Sequence, residues 1–333
     1  MATTLEPNFV KQYGSTLELQ VQLKGNKFRG KCREESITGE ERYFDQLGSV
    51  TATERTGIFQ ASPADEILHD RRQVVATPYH SGLYIDTIEK VQTLIDPAGK
   101  YIQQQNTALN RKRDQEFFRG ALGTAKSGKA GGTSNVVTDC PIVSKTTGGT
   151  GMNLDKLINA LYELEASGVD VEDPNDQPYF VWSPRQKNEL LTNTQTTSSD
   201  YAAVKALVTG QIDSFYGFKF ITSTLTPWAN TAGTGVNLVW NSDGGTGDGT
   251  GADAGDIPGI ETAGDDDRMC FAYTKSNIIQ ATNPEIITEV EKRGDVSFNW
   301  YAYSLIRTGA VRMEEEKVVL VPCEEASGGI TLP

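Results

Sequence analysis

Gly210-Gln-Ile212-Asp-Ser-Phe-Tyr-Gly217-Phe218-Lys-Phe220-Ile-Thr-Ser223 is the stretch on which the fold reading turns. A glycine and an apolar lead-in are followed by Gly-Phe and then a strand, the pattern of a turn feeding a sheet. Upstream, Tyr179-Phe-Val-Trp182 reads as a buried strand that steps through Ser183-Pro184-Arg185 into a helix carrying Leu190 and Leu191. Asp200 begins a further helix with Tyr201, Val204, Leu207 and Val208. Before these, Asn153 or Asp155 starts an amphipathic helix, with Leu154, Leu157, Ile158, Leu161 and Leu164 at helical spacing and Gly168 at its end. The middle of the chain is therefore a mixed segment of strands and helices.

Towards the N-terminus the pattern thins. Residues 1 to about 40 read as an irregular arm, with Leu17, Leu19, Val21 and Leu23 alternating as in a half-buried strand. From Arg42 to about Leu83 runs a polar stretch bounded by Gly48, Gly57, Pro63, Pro78 and Gly82. It predicts an extended hairpin outside any compact core, with Val74, Val75, Tyr79 and Tyr84 on the returning strand. Asp86 caps a short helix to about Leu94, and Pro97 opens a longer one to about Arg119. Its apolar positions, Ala98, Tyr101, Ile102, Ala108, Leu109 and Phe117, form a thin stripe, so the helix is expected on a surface, packed on one side. Residues 120–151 hold eight glycines and read as loop and short strands.

Towards the C-terminus, residues 241–267 hold eight glycines, eight acidic residues and no Lys or Arg. Such a stretch builds no core and is expected as a surface loop. Val296, Phe298, Trp300, Ala302, Ser304 and Ile306 then alternate along a long strand, Val311 and Met313 continue its sheet, and Val318-Val-Leu-Val321 is expected to close it.

Composition narrows the function. The 333 residues suit one large domain or two ordinary ones. A net charge of −13 disfavours general nucleic-acid binding, where phosphate neutralisation supplies affinity. No apolar run reaches the roughly 18 residues of a membrane span. The opening Met1-Ala-Thr-Thr-Leu-Glu-Pro has no basic and apolar leader pattern, so no signal peptide is expected and a cytoplasm is the simplest site of synthesis. Cys32, Cys140, Cys270 and Cys323 lie far apart, which suits four reduced thiols better than a metal site or a disulfide framework.

The motifs that suggest chemistry each lack a part. Gly123-x-x-x-x-Gly128-Lys129 approaches a phosphate-binding loop, but Ala130 stands where magnesium needs Ser or Thr, and the glycines follow a helix instead of a strand. Gly244-Gly-Thr-Gly-Asp248-Gly-Thr-Gly-Ala-Asp253 is one unit of a calcium-loop pattern that needs an array. Arg293-Gly294-Asp295 sits before a strand, as a β-turn would, and Glu314-Glu315-Glu316 reads as a solvated turn. His69 and His80 have no nucleophile pattern beside them. No catalytic, cofactor-binding or metal-ligating residues are assigned, and no enzyme is expected.

The order of pieces carries the functional reading. Arm and hairpin have too little apolar surface to fold alone, so neighbouring subunits must complete them. This order, with the stretches 179–185 and 210–223, resembles the major capsid proteins of tailed bacteriophages and their Hong Kong 97 capsid fold. The resemblance implies an α+β fold with an N-terminal arm over 1–41, an E-loop over 42–83, and a P-domain over 84–150 with its spine helix at 97–119. An A-domain follows over 151–283 with an acidic insertion at 241–267, and the chain returns to the P-domain sheet over 284–333. It implies self-assembly as hexamers and pentamers into an icosahedral head around double-stranded DNA, with no sequence-specific grip on it and no membrane. A separate scaffolding protein and a portal are implied partners, with a decoration protein as an optional one; the location is the virion, assembled in the host cytoplasm. Some relatives join an E-loop Lys to an Asn of another subunit. Here no lysine lies between Lys31 and Lys90, and the E-loop bases are Arg42, Arg55, Arg71 and Arg72, which suit ion pairs with a neighbour's carboxylates. The rival readings are an encapsulin compartment of the same fold and a Gly/Asp-rich calcium-binding surface protein.

Overall fold

The computed structural model describes residues 24–57, 66–85, 98–128, 136–137, 140–144, 146–147, 150–171, 173–192, 214–230, 236–239, 256–257, 267–283, 286–296 and 298–325. The strand expected at Leu17–Leu23, the helices expected over 86–94 and from Asp200, and nearly all of the acidic stretch lie outside them. In chain order the elements are β1 (Arg33–Ser36), β2 (Glu41–Leu47), β3 (His69–Val75), β4 (Thr77–Ile85), α1 (Ala98–Leu122), β5 (Ala125–Ser127), β6 (Val136–Val137) and α2 (Leu154–Ala166). Then come β7 (Pro178–Trp182), α3 (Pro184–Thr192), β8 (Ser214–Phe215), β9 (Phe218–Thr222), β10 (Trp228–Asn230), β11 (Val236–Val239), β12 (Asp256–Ile257) and β13 (Asp267–Thr274). β14 (Ile278–Thr282), β15 (Ile287–Arg293), β16 (Asn299–Arg312) and β17 (Val318–Glu324) complete an α+β architecture. The chain divides into two units, one of residues 1–25, 78–112 and 285–306, the other of 26–77, 113–284 and 307–333.

The larger unit is built on a sheet ordered β12-β11-β10-β13-β7-β9-β8, with β17 also paired to β13. β7 and β9 run parallel and β13 is antiparallel to both β7 and β17. Period-two alternation sends Met269, Phe271, Tyr273, Val181, Val318 and Leu320 to one face, where Phe28, Phe117, Phe118 and Leu122 cover them. Cys270, Ala272, Phe180, Trp182, Val319, Val321 and Cys323 go to the other, under Leu157, Ala160 and Leu164 of α2 and Leu190 of α3. A sheet buried on both faces needs apolar residues at successive positions, and that is why Tyr179–Trp182 and Val318–Val321 read as unbroken apolar runs. Asn153 caps α2, its side chain accepting from the Lys156 amide at 2.9 Å, and Gly168 leaves the helix at φ +82°. Ser183 caps α3, its hydroxyl oxygen accepting from the Arg185 amide at 3.3 Å and its hydroxyl donating to the Gln186 side-chain oxygen, with Pro184 in the first turn.

β2, β3, β5 and β6 form a second sheet of this unit in that order. Phe44, Val74, Ala76 and Ala125 share a core cluster with Ile37, Ile279, Ala281 and Val311. β14 pairs in parallel with β1 and antiparallel with residues 308–312 of β16.

In the smaller unit β15 and β16 make a hairpin in register from Ile287↔Leu305 to Arg293↔Asn299, and β4 pairs with β16. The Gln105 amide of α1 donates to the Ala302 carbonyl at 3.0 Å and its oxygen accepts from Ser304 at 3.3 Å. Tyr84 meets Tyr301 at 4.7 Å between ring centroids and His80 stacks on Tyr303 at 6.0 Å.

Five expectations change. α1 spans 25 residues, about 38 Å, and ends at Leu122. Its last turns are enclosed instead of lying on a surface, because Phe117, Phe118, Ala121 and Leu122 are buried together with Asp114 and Glu116. The hairpin base belongs to a core, with Phe44, Arg72, Gln73 and Val74 buried, and its returning strand is two pieces, β3 and β4, broken at Ala76. β16 begins at Asn299, since Val296 and Phe298 lie in the hairpin turn and Phe298 sits at φ 54°. β17 joins β13 in the sheet of β7 and β9, not the sheet of β16. Asp267, counted with the acidic loop, is a fully buried strand residue.

Candidate assembly surfaces

The β2–β3 hairpin changes character along its length. At its base Glu41 pairs with Val75, and at its far end Leu47 pairs with His69, followed by a Gly48 amide to Leu68 carbonyl bond of 2.8 Å. Past that point the side chains are solvent-facing: Leu47 is 68% exposed and Leu68 75%, with Val50 and Ile67 exposed beside them in sequence. Among the described residues this end of the hairpin thus exposes four large apolar side chains, the kind of surface that marks an interaction site. Sequence reading passed over them because they are spread among Thr, Glu and Ser; their flanking glycines and Pro63 were the available signal.

The base of the hairpin is fixed by charge. Arg72, almost fully buried, donates to the Met313 carbonyl at 2.9 Å and to Glu315 at 2.8 Å. Arg312, fully buried, stands 3.5 Å from the same carboxylate and donates to the Ala121 carbonyl at 3.4 Å and to that of Gly123. It thereby places a cation at the C-terminal end of α1, where the helix dipole favours one. Glu315 is thus an ion-pair centre and not part of a solvated turn; Glu314, with Lys317 at 3.2 Å, and Glu316 are the exposed members. The remaining hairpin arginines also find partners in their own chain. Arg42 pairs with Glu35 at 3.2 Å, Arg71 with Asp45 at 3.1 Å, and Arg55 donates to the Gly57 carbonyl at 3.1 Å. Arg72, enclosed in its own chain, is withdrawn from the expected pairing with a neighbour's carboxylates.

The other singled-out residues fall apart from one another. Gly123 closes α1 and Gly128 donates to the Arg71 carbonyl at 3.1 Å, with β5 paired to β3 between them, so this glycine loop edges a sheet. His69 and His80 are exposed on β3 and β4. Arg293 and Asp295 pair with each other at 3.0 Å across the β15–β16 turn. Gly244–Asp253 lies outside the described residues. All four cysteines are free and buried. Burial pushes the Cys32 thiol up to about 12 and lifts that of Cys270 well above its ordinary value. Among the described residues no group of three or more His, Cys, Asp or Glu is placed to hold a metal ion, and no helix is long and apolar enough to cross a membrane.

The larger unit thus combines a sheet enclosed on both faces with a hairpin whose described end exposes apolar side chains. Residues 5–325 match the family model described as phage capsid protein. The chain belongs to the phage capsid protein family. No match was found among curated protein sequences. Among solved structures it is similar to the capsid of cyanophage P-SCSP1u, with 13% identity, TM-score 0.70, and 98% of this chain and 96% of that one covered. The capsid of Helicobacter pylori bacteriophage KHP30 gives 10% identity and TM-score 0.70 over 97% of this chain and 98% of that one. A Mycobacterium phage Che8 structure gives 16% and 0.61 over 94% and 97%. The fold is the Hong Kong 97 capsid type, as the resemblance implied.

Proposed function

We propose that the protein is the major capsid protein of a tailed bacteriophage, assembling as hexamers and pentamers into an icosahedral head around double-stranded DNA. The observation that carries this reading is the match to the phage capsid family over residues 5–325, which spans the arm and the hairpin as well as the sheets. In this reading 1–41 is the N-terminal arm, 42–83 the E-loop, 84–150 and 284–333 the P-domain, and 151–283 the A-domain. The Leu47–Leu68 tip docks on a neighbouring subunit, where burying its apolar side chains supplies roughly 1.5–3 kcal/mol each. A net charge of −13 lets packaged DNA slide along the wall, since an acidic surface does not grip phosphate. A separate scaffolding protein shapes the shell in the host cytoplasm, a portal occupies one vertex, and the protein catalyses no reaction.

The lysine-free hairpin supports a shell held without covalent links, because an arginine guanidinium stays protonated and makes no isopeptide bond. Negative-stain microscopy of the expressed protein, alone and with its scaffold, is the test. Closed shells support the reading; a soluble monomer under every assembly condition, with its hairpin protected from protease, refutes it. An encapsulin role predicts shells that enclose a cargo enzyme and no DNA.

A further inference from the structure

Residues 26–32 enter the larger unit as an irregular strap, with Asn26 at φ 63° and Gly30 at φ 76°. Phe28 anchors its middle, fully buried and stacked on Phe117 at 4.1 Å with Phe118 edge-on at 5.1 Å. The Lys27 amine donates to the Thr222 carbonyl on β9 at 2.6 Å, and the Lys27 amide reaches both carboxylate oxygens of Asp114 on α1 at 3.2 Å. Asp114 is 1% exposed, yet no cation forms an ion pair with it among the described residues. Arg113 is turned to Glu34 at 3.3 Å and the Lys27 amine is bound to a carbonyl. The neighbouring Asn26 side-chain oxygen is buried with no hydrogen-bond partner among the described residues. A buried carboxylate without an ion pair is costly, and protonation removes the charge that burial penalises.

We propose that Asp114 is a proton-operated clasp: protonated, it holds the strap 26–32 closed, and on losing its proton it lets the strap open more readily. This goes beyond the assembly reading and rests on the geometry of the single chain.

Burial raises the Asp114 carboxyl to about 6, against the opposing pull of the Lys27 and Asn26 amides and of Arg113 and Lys27. The other charged groups around it are Lys31 on the strap and Glu34 on β1, while Lys275 in the turn after β13 acts on Cys32 at the strap's end. Burial lowers the pKa of Lys27 and Lys31. With the strap open, Asp114 meets water and returns towards its ordinary value of 3.8. The closed state therefore binds the proton more tightly. Its advantage is complete below about pH 4, declines about tenfold per pH unit from 4 to 6, and is lost above 6.

The experiment is hydrogen exchange read by mass spectrometry on the full chain between about pH 5.2 and 7.5, which stays above the isoelectric point near 4.8. Rates are corrected for intrinsic chemistry and referenced to a β13 peptide. The expected result is a roughly five- to tenfold rise in the opening constant of the strap peptide, levelling off above pH 6 to 7, and a flat profile in Asp114→Asn. A flat wild-type profile, or a slope that survives in Asp114→Asn, overturns the proposal. If Asp114→Asn does not fold, the wild-type curve alone decides: a plateau above pH 6 to 7 supports the clasp, and a slope continuing past pH 7 refutes it.

Discussion

Glu315 receives Arg72 at 2.8 Å and faces Arg312 at 3.5 Å, and all three side chains are largely enclosed. Removing one charge from such a group leaves the others uncompensated in a poorly solvated place. Glu315→Gln is therefore expected to destabilise the unassembled subunit by about 3–5 kcal/mol, read as a lower urea midpoint with unchanged slope. Asn153→Ala, which removes the α2 cap, is expected to cost about 1 kcal/mol in the same assay. The buried thiols give a chemical check: iodoacetamide at pH 8 should label none of the four cysteines in the folded protein and all four after denaturation. The cap was legible because a cap acts within three residues. The ion-pair centre was not, since Arg72 and Glu315 are brought together only by the packing of β3 against the end of β16, and a run of three glutamates alone looks solvated. Asp114 was hidden in the same way, among the charged residues of a helix whose polar appearance concealed an enclosed end.

At the scale of elements, the β2–β3 hairpin separates folding from assembly. Its base lies in a core and its tip does not, so Leu47→Glu with Leu68→Glu should leave the melting temperature of the subunit nearly unchanged while abolishing particles in microscopy and sedimentation. Particles formed at wild-type yield by that double variant would count against docking through the tip. The acidic segment is expected to behave oppositely: replacing Gly244–Asp265 with a short linker should leave assembly yield intact, because the five acids it removes have no base among them and like charges resist close packing. The central strands β7 and β17 and the helices α2 and α3 were legible from periodicity. The sheet to which β17 belongs was not, since partner choice among strands depends on long-range pairing that local pattern does not encode. The start of β16 was misplaced for a related reason: Val296 and Phe298 continue an alternation that the β15–β16 turn interrupts.

For the whole molecule, mature particles boiled in detergent and reductant should run as one band near 36.3 kDa, and a ladder of multimers would falsify the non-covalent shell. The division into two units has a further consequence. The chain passes between them after Gly25, Thr77, Lys112, Pro284 and Ile306, and three of those passages lie inside β4, α1 and β16. Neither unit is therefore encoded as one uninterrupted stretch. A recombination event between related phage genomes that exchanged a single segment would cut a helix or a strand, or import only part of a unit. Such genes are expected to be inherited whole and to diverge by point substitution.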